Sequence, residues 1–237
     1  MLRVALLLRG ESFRLGSQGT RCIGSPESVK EQIAASESHL KLCRTLKAAG
    51  FQVDIFFVTV DTAFSRQLYE IYRAFLKDTI LLNEHLPCQN DMIRMAVNML
   101  PIQEYDSVIL SRIDLIYRAP LITSVNPALG KVQFLAPTWY NNCVTPRGAP
   151  KMNDMFYIFP RLAFDVLQKA QELSAYGEDF LDVIPLHPGE YRCISELFFE
   201  PDSEKDTNPY YRIANRPEST VFHSSGKVYP TDFPPPR

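Results

Sequence analysis

The chain has 237 residues, 46% of them hydrophobic and 22% charged, with 25 Lys+Arg against 27 Asp+Glu for a formal net charge of −2. That composition excludes a largely disordered chain, and its near-neutral balance supplies no broad basic surface for nucleic acid. No apolar run approaches the ~18 residues needed to span a bilayer, and the stretch in MLRVALLLRG is too short for a signal-peptide core.

At ~100–200 residues per domain, one domain is expected. It is read as residues 1–228, with the Pro-rich end YPTDFPPPR at 229–237 as a tail or a linker to further sequence. RVALLLRG is a continuous apolar run with charged ends, as for a strand buried on both faces. A polar loop follows from Gly10 to Ser25. Ser25-Pro26 is a helix start, and Val29, Ile33, Leu40, Cys43 and Leu46 recur near a 3.6 period until Gly50 closes the helix. VDIFFV is a second buried strand. Helical spacing returns over 63–77, then come the short strand TILL, a helix over 89–100, and the strand SVILS at 107–111. Strands alternating with helices imply right-handed crossovers and a mainly parallel sheet. VQFLAP and MFYIFP read as strands of a different, mixed α+β half, with helices over 161–173 and about 189–199. The expected fold class is therefore α/β, Rossmann-like and mainly parallel in the first half.

Five cysteines at 22, 43, 88, 143 and 193 are too far apart for a CxxC zinc or redox motif. Such a set suits the cytoplasm or another reducing compartment.

Ligands of open parallel sheets bind beyond the carboxyl ends of the strands. Strand one ends in Arg9-Gly10, with Arg14 close behind. Glycine permits close backbone approach and two guanidiniums can hold a phosphate or pyrophosphate, although an ordinary charged loop would look the same. Neither GxGxxG nor GxxxxGK[ST] occurs, which argues against a dinucleotide enzyme and a P-loop NTPase. Thr59 ends strand two, where it could meet a base or ribose, or simply precede the helix begun by Asp61 and Thr62. Strand four runs into Arg112-Ile113-Asp114. A carboxylate there can bind a divalent metal that holds a diphosphate, and an arginine can neutralise the diphosphate directly. The alternative is an internal ion pair or a solvated strand end. The loop PTWYNNCVTPRGAPKMND carries the only Trp with Tyr140, two Asn, Arg147 and Lys151, a mixture suited to sugar recognition. His39, His85 and His187 form no triad pattern, and GxSxG is absent.

The apolar strand leading into the short acidic motif of SRIDLIYRAP, preceded by βαβ units and RG-x-x-x-R, resembles the DxD region of GT-A glycosyltransferases. The motif order is similar to that of small glycan-building enzymes of algal viruses and microbes. The resemblance implies transfer of a hexosyl or pentosyl group from a nucleoside-diphosphate sugar to a hydroxyl of a glycan or other small acceptor. It implies Mn²⁺ or Mg²⁺ as cofactor, with Asp114 as the second acid of DxD. The sequence departs from the pattern at the first acid, which is Arg112. Asp154 would lie where such enzymes place acceptor-binding or catalytic groups, and Glu196 in CISELFF resembles the carboxylate used as base. His223 resembles the late histidine presented to metal or diphosphate. Read from the residues alone, Asp154 fits a turn, Glu196 a helix surface and His223 a structural or solvated histidine equally well. Two rivals stay open: a non-catalytic nucleotide-sugar or glycan-binding module, and a nucleotidyltransferase. Arg112 in place of an acid counts against the second, whose metals need several carboxylates.

Overall fold

The computed structural model describes residues 1–15, 22–83, 89–135, 155–168, 191–194 and 210–213. In chain order these hold β1 (Arg3–Arg9), a hairpin of β2 (Arg14–Leu15) and β3 (Cys22–Ile23), α1 (Pro26–Ala48), β4 (Gln52–Val60), α2 (Ser65–Tyr72), β5 (Leu76–Leu82) and α3 (Gln89–Met99). There follow β6 (Ser107–Arg112), β7 (Leu115–Tyr117), α4 (Ala119–Ser124), β8 (Val132–Phe134), β9 (Phe156–Pro160), β10 (Tyr191–Cys193) and β11 (Tyr211–Ile213). Seven strands form one sheet in the order β5-β4-β1-β6-β9-β8-β10. β5, β4, β1 and β6 are mutually parallel, and β9 runs against both of its neighbours. The α/β class expected from the sequence is what the sheet shows: a Rossmann-like parallel half followed by a mixed half.

The apolar run of β1 explains its central place. Val4, Leu6 and Leu8 face the layer containing Leu42, Cys43 and Leu46 of α1 and Leu68 and Tyr72 of α2. Ala5 and Leu7 face Ile93, Ala96 and Val97 of α3. With helices on both faces, a strand must be apolar at every position. The start of α1 is capped as expected, Ser25 Oγ accepting from the Ser28 N–H at 3.1 Å. Cys43 is a buried free thiol whose pKa burial pushes up to about 12, so it behaves as a core hydrophobe. Among the described residues no helix is long and apolar enough to cross a membrane.

Two expected elements differ. The helix expected over 63–77 spans only Ser65–Tyr72, because Leu76 and its successors pair with β4 from Ile55 onward. Where a helix was expected from about 189, residues 191–193 are the strand β10, captured by the edge of β8. Ladder pairing outweighs a helical spacing that was short and weak. The three-residue strands β7 and β11 are too brief for a periodic signal.

His39 joins layers. It is fully buried, with Nε2–H donating to the Leu115 carbonyl at 2.8 Å and Nδ1 in hydrogen-bond contact with the Tyr72 hydroxyl at 2.8 Å. Burial lowers its pKa to about 4, against the opposing pulls of the Leu115 carbonyl and the Asp114 charge. The folded state therefore refuses a proton that the unfolded chain accepts below its ordinary pKa of 6.5. Stability from this group is complete above pH 6.5 and falls as pH drops toward 4, by roughly 3 kcal/mol in total. Urea denaturation of His39→Gln at each pH should show that acid slope removed over this window. An unchanged slope would assign the acid limb to other groups.

Candidate active site

The site grows from the ends of β1 and β6. Arg9 is register partner to Arg112 on one side and to Val58 on the other. Neighbouring strands lie ~4.8 Å apart, so the two arginine stems leave the sheet side by side. Alternation puts both on the face of Ala5, Leu7, Val108 and Leu110. Arg9 is buried, at 2% exposure. Gly10 then turns the chain away with φ +122°, a conformation L side chains rarely adopt, while its N–H donates to the Val58 carbonyl at 3.1 Å. Across the gap the Ile113 N–H donates to the Arg9 carbonyl at 2.8 Å, which locks the two strand ends together.

Arg112 and Asp114 form a two-point pair. Arg112 Nε donates to Asp114 Oδ1 at 2.8 Å and Nη2 donates to Oδ2 at 2.6 Å. The Asp114 side chain is 3% exposed and that of Arg112 15%. The pair is internal rather than solvated, at the strand end whose register partner is Arg9.

Thr59 stands elsewhere. One residue beyond Val58, it takes the opposite face, fully buried, where its hydroxyl accepts from the Ser12 N–H at 3.0 Å and donates to Ser12 Oγ at 2.9 Å. It supports the loop after Gly10 from beneath. Next in that loop, Phe13 sits at φ +56°, a left-handed conformation costing a non-glycine residue ~1 kcal/mol or more. Its surroundings hold it there. The Phe13 carbonyl accepts from the Gly24 N–H at 2.9 Å, and its ring packs on Phe64 at 5.5 Å between centroids. A Cβ on Gly24, which sits at φ +78°, would run into the Phe64 ring, so glycine suits the point where the loop returns.

Gln32 of α1 connects the two loops. Its Oε1 accepts from the Phe13 N–H at 3.2 Å and its Nε2 donates to the Ile113 carbonyl at 2.9 Å, both inside the protein. One carboxamide thus spaces the loop after Arg9-Gly10 from the turn carrying Arg112 and Asp114. Sequence reasoning missed this residue. The available signal was polar Ser28, Gln32 and Ser36 at i, i+4 spacing on a helix face that also carries core residues.

Among the sequence candidates, the structure brings together Arg9, Gly10, Arg112 and Asp114, and puts Thr59 on the other face. The backbone of Arg14 lies in β2, paired with Ile23, and its side chain is outside what is described. Asp154, Glu196 and His223 lie outside the described residues, as does the loop 137–154. Three described residues lie at this end of the structure. The Met155 carbonyl accepts from the Arg112 N–H at 3.1 Å. The Ile194 N–H donates to the Phe134 carbonyl at 2.8 Å, at the same end of the sheet. Ile213 pairs with Leu115, next to Asp114.

Of the two metal ligands implied by the resemblance, His223 lies outside the described residues. The other, Asp114, does not fit a metal as it stands, because both of its oxygens accept from Arg112.

No family model matches the chain, and no curated protein matches it. Solved structures do show likeness. The chain is similar to HddC from Yersinia pseudotuberculosis at 15% identity, covering 92% of this chain and 96% of that one with a TM-score of 0.45. It is similar to a structure described as that of a nucleotide-diphospho-sugar transferase from Desulfovibrio desulfuricans at 15% identity, covering 70% and 68%, with a TM-score of 0.42. It is also similar to Drosophila β1,4-galactosyltransferase 7, crystallised with manganese, UDP-Gal and xylobiose, at 11% identity, covering 70% of this chain with a TM-score of 0.37. The chain spans about half, 52%, of that last protein's length.

The Gln32 bridge has a measurable consequence. Gln32→Leu leaves the Phe13 N–H and Ile113 carbonyl buried without partners, each costing about 1–3 kcal/mol. Gln32→Glu keeps the first bond but sets a carboxylate oxygen against the Ile113 carbonyl, which raises the carboxyl pKa. Its penalty should be present at neutral pH and shrink as pH falls and the group protonates into a donor. Chemical denaturation of both variants across pH checks this; a Gln32→Glu chain as stable as wild type at every pH would show that the Ile113 bond contributes nothing.

Proposed function

We propose that the chain is a nucleotide-sugar-dependent glycosyltransferase, moving a hexosyl or pentosyl group from a nucleoside-diphosphate donor to a hydroxyl of a glycan or other acceptor. One observation carries this reading: Arg9 and Arg112 stand in register at the carboxyl ends of β1 and β6. Those two strands flank the point where strand order reverses, since β4 lies to one side of β1 and β6 to the other. Open α/β sheets bind their ligands in the crevice at that point. Two guanidiniums there suit a diphosphate, whose oxygens match their forked donors.

The chemistry follows from the placement. As the bond between the sugar's anomeric carbon and the diphosphate oxygen breaks, negative charge builds on the leaving nucleoside diphosphate. Arg9 and Arg112 oppose that charge, and a well-aimed donor of this kind contributes roughly 3–4 kcal/mol to the transition state. The acceptor oxygen bonds to the same carbon and gives its proton to a carboxylate, a role assigned to Asp154 or Glu196. Arg14 and His223 are assigned to the diphosphate. Support for the two carboxylates is the place of their chain neighbours: Met155 bonds to Arg112 and Ile194 to the end of β8. Thr59 acts through Ser12, holding the loop that passes the donor.

The test is a panel of nucleotide sugars read first by thermal shift, then by nucleoside diphosphate released in the presence of acceptors. One donor should raise the melting temperature, and Arg9→Lys, losing the planar fork, should slow its turnover about 100-fold. Stabilisation without release of nucleoside diphosphate identifies a binding module. Pyrophosphate released from a nucleoside triphosphate and a sugar phosphate identifies a nucleotidyltransferase.

A further inference from the structure

The residues at the end of β6 disagree with a metal site in a systematic way. Each oxygen of Asp114 already accepts a hydrogen bond from the Arg112 guanidinium, at 2.8 and 2.6 Å, so a cation there would compete with that pair. We propose that Arg112 is the site's built-in cation, replacing a divalent metal, so that a nucleoside diphosphate binds here without one. The nucleotide half of this inference rests on the donor reading above; the metal half does not.

Charge arithmetic supports the exchange. In an acidic motif, one carboxylate together with a divalent cation carries a single net positive charge. A guanidinium at Arg112 carries the same charge with neither. The field presented to a diphosphate is conserved while the need for an ion disappears. Adding a divalent cation to the present site would instead place it beside Arg112 and the in-register Arg9, two like charges in a buried setting. It would also strip Asp114 from Arg112, and breaking a buried pair from one side is among the costlier changes in a protein.

Donor geometry agrees. A guanidinium has five N–H donors in a fixed plane, and the Asp114 pair uses two of them. A single arginine can therefore be oriented by a carboxylate and still address phosphate oxygens, which a lysine could not do with comparable direction. Asp114 then changes role. It is a positioning residue that fixes the guanidinium plane, and not a metal ligand.

The experiment has two arms on the whole chain. Mn²⁺ is titrated into the wild-type protein without nucleotide, the free ion being followed by electron paramagnetic resonance. UDP and GDP binding is measured by calorimetry in EDTA and again with Mn²⁺. Expected are no stoichiometric Mn²⁺ site and a nucleotide Kd equal within about twofold in the two buffers, a difference of roughly 0.4 kcal/mol. Arg112→Asp, which restores the acid, should take up Mn²⁺ at least tenfold more tightly than wild type. A stoichiometric wild-type Mn²⁺ site abolished by Asp114→Asn would overturn the proposal, as would nucleotide binding that EDTA abolishes and Mn²⁺ restores. A folded Arg112→Asp chain with no gain in Mn²⁺ affinity would overturn it as well. Should Arg112→Asp fail to fold, the two wild-type measurements decide alone. If neither nucleotide binds in either buffer, the donor reading fails and the Mn²⁺ titration still decides this one.

Discussion

The polar half of α1 is what the functional end of the molecule depends on. Gln32 takes the Phe13 N–H and gives to the Ile113 carbonyl, Ser38 accepts from the Tyr117 N–H, and His39 gives to the Leu115 carbonyl. Four backbone groups from two separate loops thus end on one helix. Buried backbone polar groups must find partners, and these loops, lying off the sheet, find them in side chains. Toward its C-terminus the same helix changes character, and Leu40, Leu42, Cys43 and Leu46 pack in the core. One element anchors the apolar layer with one half and sets the loop geometry with the other.

That division explains why the charged groups sit where they do. β1 and β6 are apolar on both faces along most of their length, so a charge is tolerable only where each strand ends. Arg9 and Arg112 are the first residues there, and strand pairing fixes their separation before any ligand arrives. Positive groups held together in advance cost stability in the free protein and need no rearrangement during reaction. Asp114 offsets much of that cost, because a guanidinium paired at two points is satisfied even when little exposed.

Legibility in the sequence followed the length of the signal. RVALLLR, VDIFFV and SVILS could be read as central strands because buried parallel strands are continuously apolar, and Ser25-Pro26 announced α1 through its cap. Arg9, Arg112 and Asp114 stood out for the same reason: charge directly after such a run has few explanations. Gln32 was invisible because a glutamine in a helix is ordinarily solvated, and only the tertiary approach of two loops gives it work. β10 was misread because three residues carry no period, and its pairing with β8 is set by chain far away in sequence. Whether Arg112 and Asp114 bond to each other or to a ligand also depended on rotamers that spacing does not specify.

On the proposed reading, the order of events at the site differs from that of a site completed by a metal. An acidic pair without its cation repels itself, so it acquires order when ion and donor arrive together. An arginine–aspartate pair is ordered from folding onward, since its cation is covalently part of the chain. The pairing is then subject to the stability of the fold, and the elements that hold it become part of its chemistry. The turn from Arg112 to Asp114 is held by Ile113, through its N–H to Arg9 and its carbonyl to Gln32. Loosening α1 would therefore disturb the guanidinium plane without touching either charged residue. In this arrangement the polar stripe of a helix does for the arginine–aspartate pair what a coordination sphere does for a metal: it fixes where positive charge points.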